Sequence, residues 1–170
     1  MTASCLSAAC LLLAAIAWGG KDKPGNLTEP WMSGQYEFGD VTIANAPLYR
    51  PDGSTWDPHS GLADLYLIVY TTPGGADEWQ EGFITSYVEG AGSDAELADW
   101  ILFIIGPEDA DPETRWLFFQ VIDYDPDSLE IVDESGSISI DDLSPSGRNS
   151  IVCERGTEIT FSASWIGLWE

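Results

Sequence analysis

Short apolar or alternating segments, separated by Gly, Pro, Asp and Ser, follow one another along most of the chain. Alternation of apolar and polar positions is typical of a half-buried strand, and regular turn signals between such segments are typical of a sandwich or barrel. No long segment has a helical period, although residues 93–99 could form one turn. The pattern predicts an all-β, antiparallel, eight-stranded sandwich. The predicted strands are residues 40–46, 64–71, 83–88, 100–105, 115–123, 136–140, 150–153 and 158–166.

The N-terminal residues have a different character. Residues 1–17 form a short apolar stretch that ends in Ala15-Ile16-Ala17, a small-x-small pattern that predicts a signal peptide. Residues 18–37 are predicted as a tether and residues 38–170 as the domain, which indicates a secreted or cell-envelope protein. Lipidation at Cys10 is not expected, because the main apolar run follows this residue. Cys153 is then the one cysteine of the mature chain, and it is expected to be a small buried hydrophobic residue.

The charge balance narrows the classes of partner. The formal net charge is -23, from 29 acidic and 6 basic residues, whereas binding to nucleic acid or anionic lipid is driven by Lys and Arg. A hydrophobic content of 44% with eight Trp still predicts a folded core. Most of the carboxylates are therefore expected to form a solvated surface, and cations are the expected partners.

Carboxylates are concentrated in two long connections, residues 47–63 and 124–135, the second of which follows an apolar strand. In an antiparallel sandwich such connections can meet at one end of the sheets. Several carboxylates in one place need a cation between them, and calcium accepts six to eight oxygens, at about 2.3–2.6 Å, from flexible loops. The spacing predicts a calcium site. The candidate ligands are Asp52, Asp57, Asp64, Asp123, Asp125, Asp127 and Asp133.

Two of these segments resemble the signatures of C2 domains, a family of eight-stranded β-sandwiches that commonly bind calcium and phospholipid through loops at one edge. Residues 61–66 read Gly-Leu-Ala-Asp-Leu-Tyr, and residues 121–125 read Val-Ile-Asp-Tyr-Asp, with a further Asp three positions before Gly136. The resemblance covers residues 39–166. It implies that the ligands are Asp57, Asp64, Asp123, Asp125 and Asp133. Because both loops are longer than in the family, Asp52 remains an alternative to Asp57, and Asp127 to Asp133.

Apolar residues of the same two connections are predicted to lie at loop tips, where they could enter a membrane once calcium has neutralised the loops. They are Trp56, Leu62, Leu129, Ile131 and Val132. Burial of an aliphatic side chain is worth about 1.5–3 kcal/mol, so a few of them could support binding even to neutral lipid. The alternatives are a calcium-stabilised structural or adhesive extracellular domain, and a merely salt-adapted acidic surface. The partner is then a phospholipid membrane or an extracellular protein, and nucleic acid is not expected.

Two other interpretations are less well supported by the residues. Asp123, Asp125, Asp127 and Glu134 have the spacing of an EF-hand loop, but Ser128 stands where that loop needs Gly, and the preceding segment is β-rich. An enzyme is not expected, because the single histidine, His59, lies in a loop and no nucleophile elbow or phosphate-binding loop is present.

Overall fold

The computed structural model describes residues 31–32, 34–57, 61–72, 80–105, 116–126 and 128–168. These residues form two antiparallel sheets packed face to face, with a single 3-10 turn at Ile140–Asp142 in the described ranges. The strands are β1 (Gly34–Ala44), β2 (Leu65–Thr72), β3 (Gln80–Ile84), β4 (Ala95–Leu97), β5 (Ile101–Ile105), β6 (Trp116–Asp125), β7 (Ser128–Glu134), β8 (Ile138–Ser139), β9 (Gly147–Val152) and β10 (Glu158–Gly167). The predicted antiparallel β-sandwich is confirmed.

Each sheet is built on one long pair of strands. In the first sheet the order is β4-β1-β10-β9, and β5 pairs with a second part of β1. In the second sheet the order is β3-β2-β6-β7, and β8 pairs with the beginning of β6. The strands β2, β6 and β7 lie side by side, so the start of β2 and the turn between β6 and β7 meet at one end of the sandwich.

The core lies between the inner faces of the two sheets. Alternation along β6 points Leu117, Phe119 and Val121 inward, and all three are fully buried. The Phe119 ring faces Phe161 of β10, which also packs on Phe38 of β1 with ring centroids 4.2 Å apart. These contacts join the two sheets. Cys153 is buried with a free thiol, as expected for a small hydrophobic residue.

Several elements differ from the predicted ones; β3, for example, is Gln80–Ile84 where a strand over 83–88 was predicted. β1 begins at Gly34, before the predicted start of the domain at Phe38, because its first residues pair with β5. Residues 95–97 form a strand paired with β1, so the predicted helical turn is wrong there. The segment 124–135 is a hairpin and not a long loop, because Asp125 pairs with Ser128 across a turn that contains Pro126. This hairpin also rules out an EF-hand loop.

The predicted signal peptide and most of the predicted tether lie outside the described residues. Among the described residues, no helix has both the length and the apolar character needed to span a membrane.

Candidate functional site

Asp123 continues the inward-facing row of β6 beyond Val121, at the end of the sandwich where β2 begins. Its side chain is fully buried. One carboxylate oxygen, Oδ1, accepts a hydrogen bond of 2.7 Å from the backbone N–H of Asp64. The other oxygen, Oδ2, is buried and has no hydrogen-bond partner among the described residues. A buried carboxylate oxygen without a partner is costly, so this atom needs an explanation.

Two further carboxylates surround this end of β6. Asp125 lies two residues after Asp123 on the same face, and Glu130 of β7 is directly opposite Asp123 in the hairpin register. One carboxylate oxygen from each of the three residues lies within 4.8 Å of the other two. Below, Asp123, Asp125 and Glu130 are called the acidic cluster.

Burial is the main reason that the pKa of Asp123 is raised, to about 6 from the usual 3.8. The hydrogen bond from the Asp64 N–H lowers this pKa, whereas the charges of Asp125, Asp64 and Glu130 raise it further. The folded protein therefore resists ionisation of Asp123 unless positive charge approaches the cluster.

One basic side chain does approach. Arg50 comes from the connection between β1 and β2, and its Nη2 lies 2.5 Å from Glu130 Oε2 and 3.9 Å from Asp125 Oδ2. The same nitrogen donates a hydrogen bond of 2.5 Å to the carbonyl oxygen of Trp56. Arg50 thus bridges the β1–β2 connection and the β6–β7 hairpin.

The other predicted ligands of the β1–β2 connection lie outside the acidic cluster. Asp64 is next to it, but its Oδ1 accepts a hydrogen bond of 2.6 Å from the Gly90 N–H. Asp52 is exposed, and its Oδ1 accepts hydrogen bonds from the N–H and the hydroxyl of Ser54, which lower the pKa of Asp52. Asp57 is half-buried, and it is not one of the three clustered residues.

The carboxylate of Asp133 has a structural role in the fold. Its carboxylate is buried and accepts three backbone hydrogen bonds, from the N–H groups of Glu134 (2.8 Å), Arg155 (2.9 Å) and Thr157 (3.0 Å). It therefore ties β7 to the turn between β9 and β10, and its oxygens are engaged away from the acidic cluster. Asp127, the alternative to Asp133, lies outside the described residues.

The five predicted membrane-contact residues separate into two groups. Trp56 and Val132 belong to the core, with exposed fractions of 2% and 0%, so their predicted position at loop tips is wrong. Trp56 turns inward because its indole N–H donates to the Pro47 carbonyl, and Val132 because a bulge in β7 points it toward the core. Leu62, Leu129 and Ile131 are exposed.

Leu129 and Ile131 do not lie at a loop tip but on the outer face of the hairpin. Leu129 is opposite Tyr124, and the Tyr124 ring stacks on Tyr87 with centroids 4.5 Å apart. Tyr87, Tyr124, Leu129 and Ile131 are below called the apolar strip. Because side chains alternate along each strand, the three strip residues of the hairpin and the acidic cluster occupy opposite faces of the hairpin, and Tyr87, which follows β3, stacks against the strip.

The sequence analysis did not identify Glu130 or Arg50 as site residues. Glu130 could have been found from the turn signal Asp125-Pro126, since a tight turn there places Glu130 opposite Asp123. No comparable signal exists for Arg50, because its contacts with the hairpin are between residues far apart in the sequence.

The residues of the acidic cluster suit a hard divalent cation. They supply only carboxylate oxygens, which calcium prefers, and the unpartnered Oδ2 of Asp123 is available as a ligand atom. A cation would also relieve the repulsion among the three carboxylates.

Comparisons with known proteins identify the fold. No protein-family model and no curated protein matches this sequence. Among solved structures, extended-synaptotagmin 2 matches with a TM-score of 0.54 at 10% identity, over 80% of this chain and 28% of that chain. A C2 domain protein from Ramazzottius varieornatus matches with a TM-score of 0.50 at 13% identity, over 82% of this chain and 94% of that one.

Human GIVD cytosolic phospholipase A2, in a structure that contains terbium chloride, matches with a TM-score of 0.51 at 17% identity. That match covers 78% of this chain and 17% of the phospholipase chain. The chain therefore has a C2-like β-sandwich fold, as the resemblance implied. At these identities the likeness concerns the fold.

Proposed function

We propose that this chain is a non-catalytic, extracellular C2-like module that binds calcium at the acidic cluster and associates with a membrane through the apolar strip. The observation that carries the calcium site is the buried Oδ2 of Asp123, which has no partner and lies in a group of three carboxylates.

The geometry supports a binding role that depends on charge. Without metal, three carboxylates and the neighbouring Asp64 share one end of the sandwich, where the guanidinium of Arg50 pairs with Glu130. A divalent cation would neutralise most of this local charge and stabilise the ionised form of Asp123. The end of the sandwich could then approach a bilayer at a smaller electrostatic cost.

The apolar strip supports a membrane as the partner. Leu129 and Ile131 are 67% and 50% exposed, and two tyrosine rings lie beside them. Tyrosine rings favour the interface between headgroups and acyl chains, while the acidic surface disfavours anionic lipid. A neutral phosphatidylcholine surface is therefore the proposed lipid partner.

A calcium-stabilised structural or adhesive domain is the second candidate function. Arg50 favours it, because this residue already holds the β1–β2 connection against the hairpin, and a cation there would tighten the same junction. Lipid binding separates the two candidates, since only the first requires it.

The calcium site can be tested by calorimetric titration of the metal-free protein with calcium and, separately, with magnesium. We expect saturable calcium binding in the wild type and none in Asp123→Asn/Asp125→Asn. The matched control is Asp141→Asn/Asp142→Asn, which removes the same charge from the exposed 3-10 turn beside the opposite end of β6. If calcium binds no better than magnesium, or if both double variants behave alike, the proposal fails.

The membrane partner can be tested by sedimentation with phosphatidylcholine vesicles, with calcium or with a chelator. We expect calcium-dependent binding that is lost in Leu129→Ala/Ile131→Ala. Val152→Ala is the control, because Val152 is equally exposed (68%) but lies on β9 of the other sheet. Calcium binding without vesicle binding would favour the structural candidate.

A further inference from the structure

The guanidinium of Arg50 already engages carboxylates that a metal ion at the acidic cluster would need. Its Nη2 is 2.5 Å from both Glu130 Oε2 and the Trp56 carbonyl oxygen. Asp125 Oδ2 lies 3.9 Å from the same nitrogen. One cationic group thus bonds one carboxylate of the cluster and lies close to a second.

The backbone of Arg50 is held in place by its own turn. Its N–H donates to Ser54 O and its carbonyl accepts from the Gly53 N–H, both at 2.9 Å. The neighbouring residues Tyr49 and Thr55 form an isolated β-bridge. The side chain therefore starts from a fixed point and reaches the hairpin without ordering a flexible loop.

The Nη2 atom of Arg50 is well bonded, whereas its Nε atom is not. The Nε of Arg50 is buried without a partner among the described residues, while Nη2 bonds to a carboxylate and a carbonyl. The group lies 5.8 Å from the centroid of the Trp56 ring, which supports its position without satisfying Nε. The guanidinium is thus held by one carboxylate of the acidic cluster, one neutral carbonyl and an aromatic ring, and Asp123 Oδ2 keeps no partner among the described residues.

We propose that Arg50 is the internal counterion of the acidic cluster and competes with calcium for it, so that calcium binds only by displacing the guanidinium. A divalent ion bonded to Asp125 and Glu130 would repel a guanidinium at these distances, and the two cannot share the same oxygens. Displacement also frees the Trp56 carbonyl oxygen as a further neutral ligand. Arg50 then sets the affinity of the site. The inference rests on the proposed calcium site and deepens it.

The test compares Arg50→Gln with the wild type by calorimetric calcium titration after removal of metal with a chelator. Arg148→Gln is the matched control, because it removes the same charge from an exposed arginine on β9 of the other sheet, whose Nη2 donates to the Thr160 hydroxyl. Loss of a positive charge adjacent to the ion predicts that Arg50→Gln binds calcium on the order of tenfold more tightly. Arg148→Gln is expected to match the wild type.

The outcomes separate the two proposals. Tighter binding in Arg50→Gln than in the wild type and Arg148→Gln supports the inference. If the wild type binds calcium and Arg50→Gln binds it equally or more weakly, the competition is refuted while the calcium site stands. If no chain binds calcium, both proposals are refuted.

A second measurement does not depend on the folding of a variant. The buried Nε–H of Arg50 gives a side-chain NMR signal that can be followed in the wild type during calcium addition, with Arg148 as internal reference. Arg148 lies on β9 of the other sheet and donates to Thr160, whereas Arg155 lies over the same Trp56 ring as Arg50. We expect the Arg50 signal to shift at calcium saturation while that of Arg148 stays in place. An unchanged Arg50 signal at saturation would refute displacement.

Discussion

Asp123→Asn should stabilise the metal-free protein at neutral pH, although it changes a fully buried residue. The asparagine Oδ1 can still accept the hydrogen bond from the Asp64 N–H, so the packing of this end of β6 is retained. What disappears is the buried negative charge, together with its repulsion by Asp125 and Glu130. The substitution therefore isolates the cost of ionising Asp123 in the folded state.

The magnitude follows from the pKa of this carboxyl group. Folding raises it from 3.8 to about 6, and each pH unit of such a difference corresponds to about 1.4 kcal/mol. Ionised Asp123 thus costs the folded state up to about 3 kcal/mol at pH 7. Because the pKa of Asp123 is higher in the folded state than in the unfolded state, the contribution of protonated Asp123 to stability is fully present below about pH 4. This contribution is lost as the pH rises through about 6.

The assay is urea unfolding, followed by tryptophan fluorescence in the presence of a chelator, at several values between about pH 4 and pH 7.5. The informative quantity is the free energy of unfolding of Asp123→Asn minus that of the wild type, because carboxylates distant from Asp123 contribute equally to both. We expect this difference to grow by up to about 3 kcal/mol as the pH rises. For Asp141→Asn, which changes an exposed residue, the same difference in free energy of unfolding should not vary with pH. If the difference for Asp123→Asn also does not vary with pH, the conclusion that burial raises the pKa of Asp123 is refuted.

Three further predictions concern other parts of the molecule. Asp133→Ala should lower the free energy of unfolding by about 3 kcal/mol or more, because three backbone N–H groups lose their acceptor; an unchanged stability with weaker calcium binding would instead make Asp133 a metal ligand. Phe161→Ala should cost about 3–5 kcal/mol in urea unfolding, since its ring joins the two sheets; a cost below about 1 kcal/mol would contradict that role. The pKa of Cys153 is raised to about 12, mainly by burial, so iodoacetamide at about pH 8 should modify it only after unfolding, as mass spectrometry would show; rapid labelling of the folded protein would contradict this.

Much of the fold could be predicted because the alternation of side chains is a local property. The inward row Leu117, Phe119 and Val121 is visible in the sequence as every second residue, and it makes β6 a half-buried strand. The same reasoning predicted that Asp123 would lie at the end of this strand. It did not predict the hairpin that follows, because acidic residues in 124–135 were interpreted as a loop although Pro126 marks a tight turn.

The same distinction between local and long-range information applies to the candidate site. Sequence reasoning was sufficient for the acidic character of this end of the sandwich, the place of Asp123 at the end of a strand, and a C2-like sandwich, because each depends on neighbours along the chain. The three-dimensional contacts were needed to show that Asp125 continues β6, that Glu130 completes the cluster, that Arg50 reaches it, and that Asp133 bonds to the backbone instead. Trp56 illustrates the physical reason: it is buried in a core formed by residues far apart in the sequence, and no local pattern encodes such long-range packing.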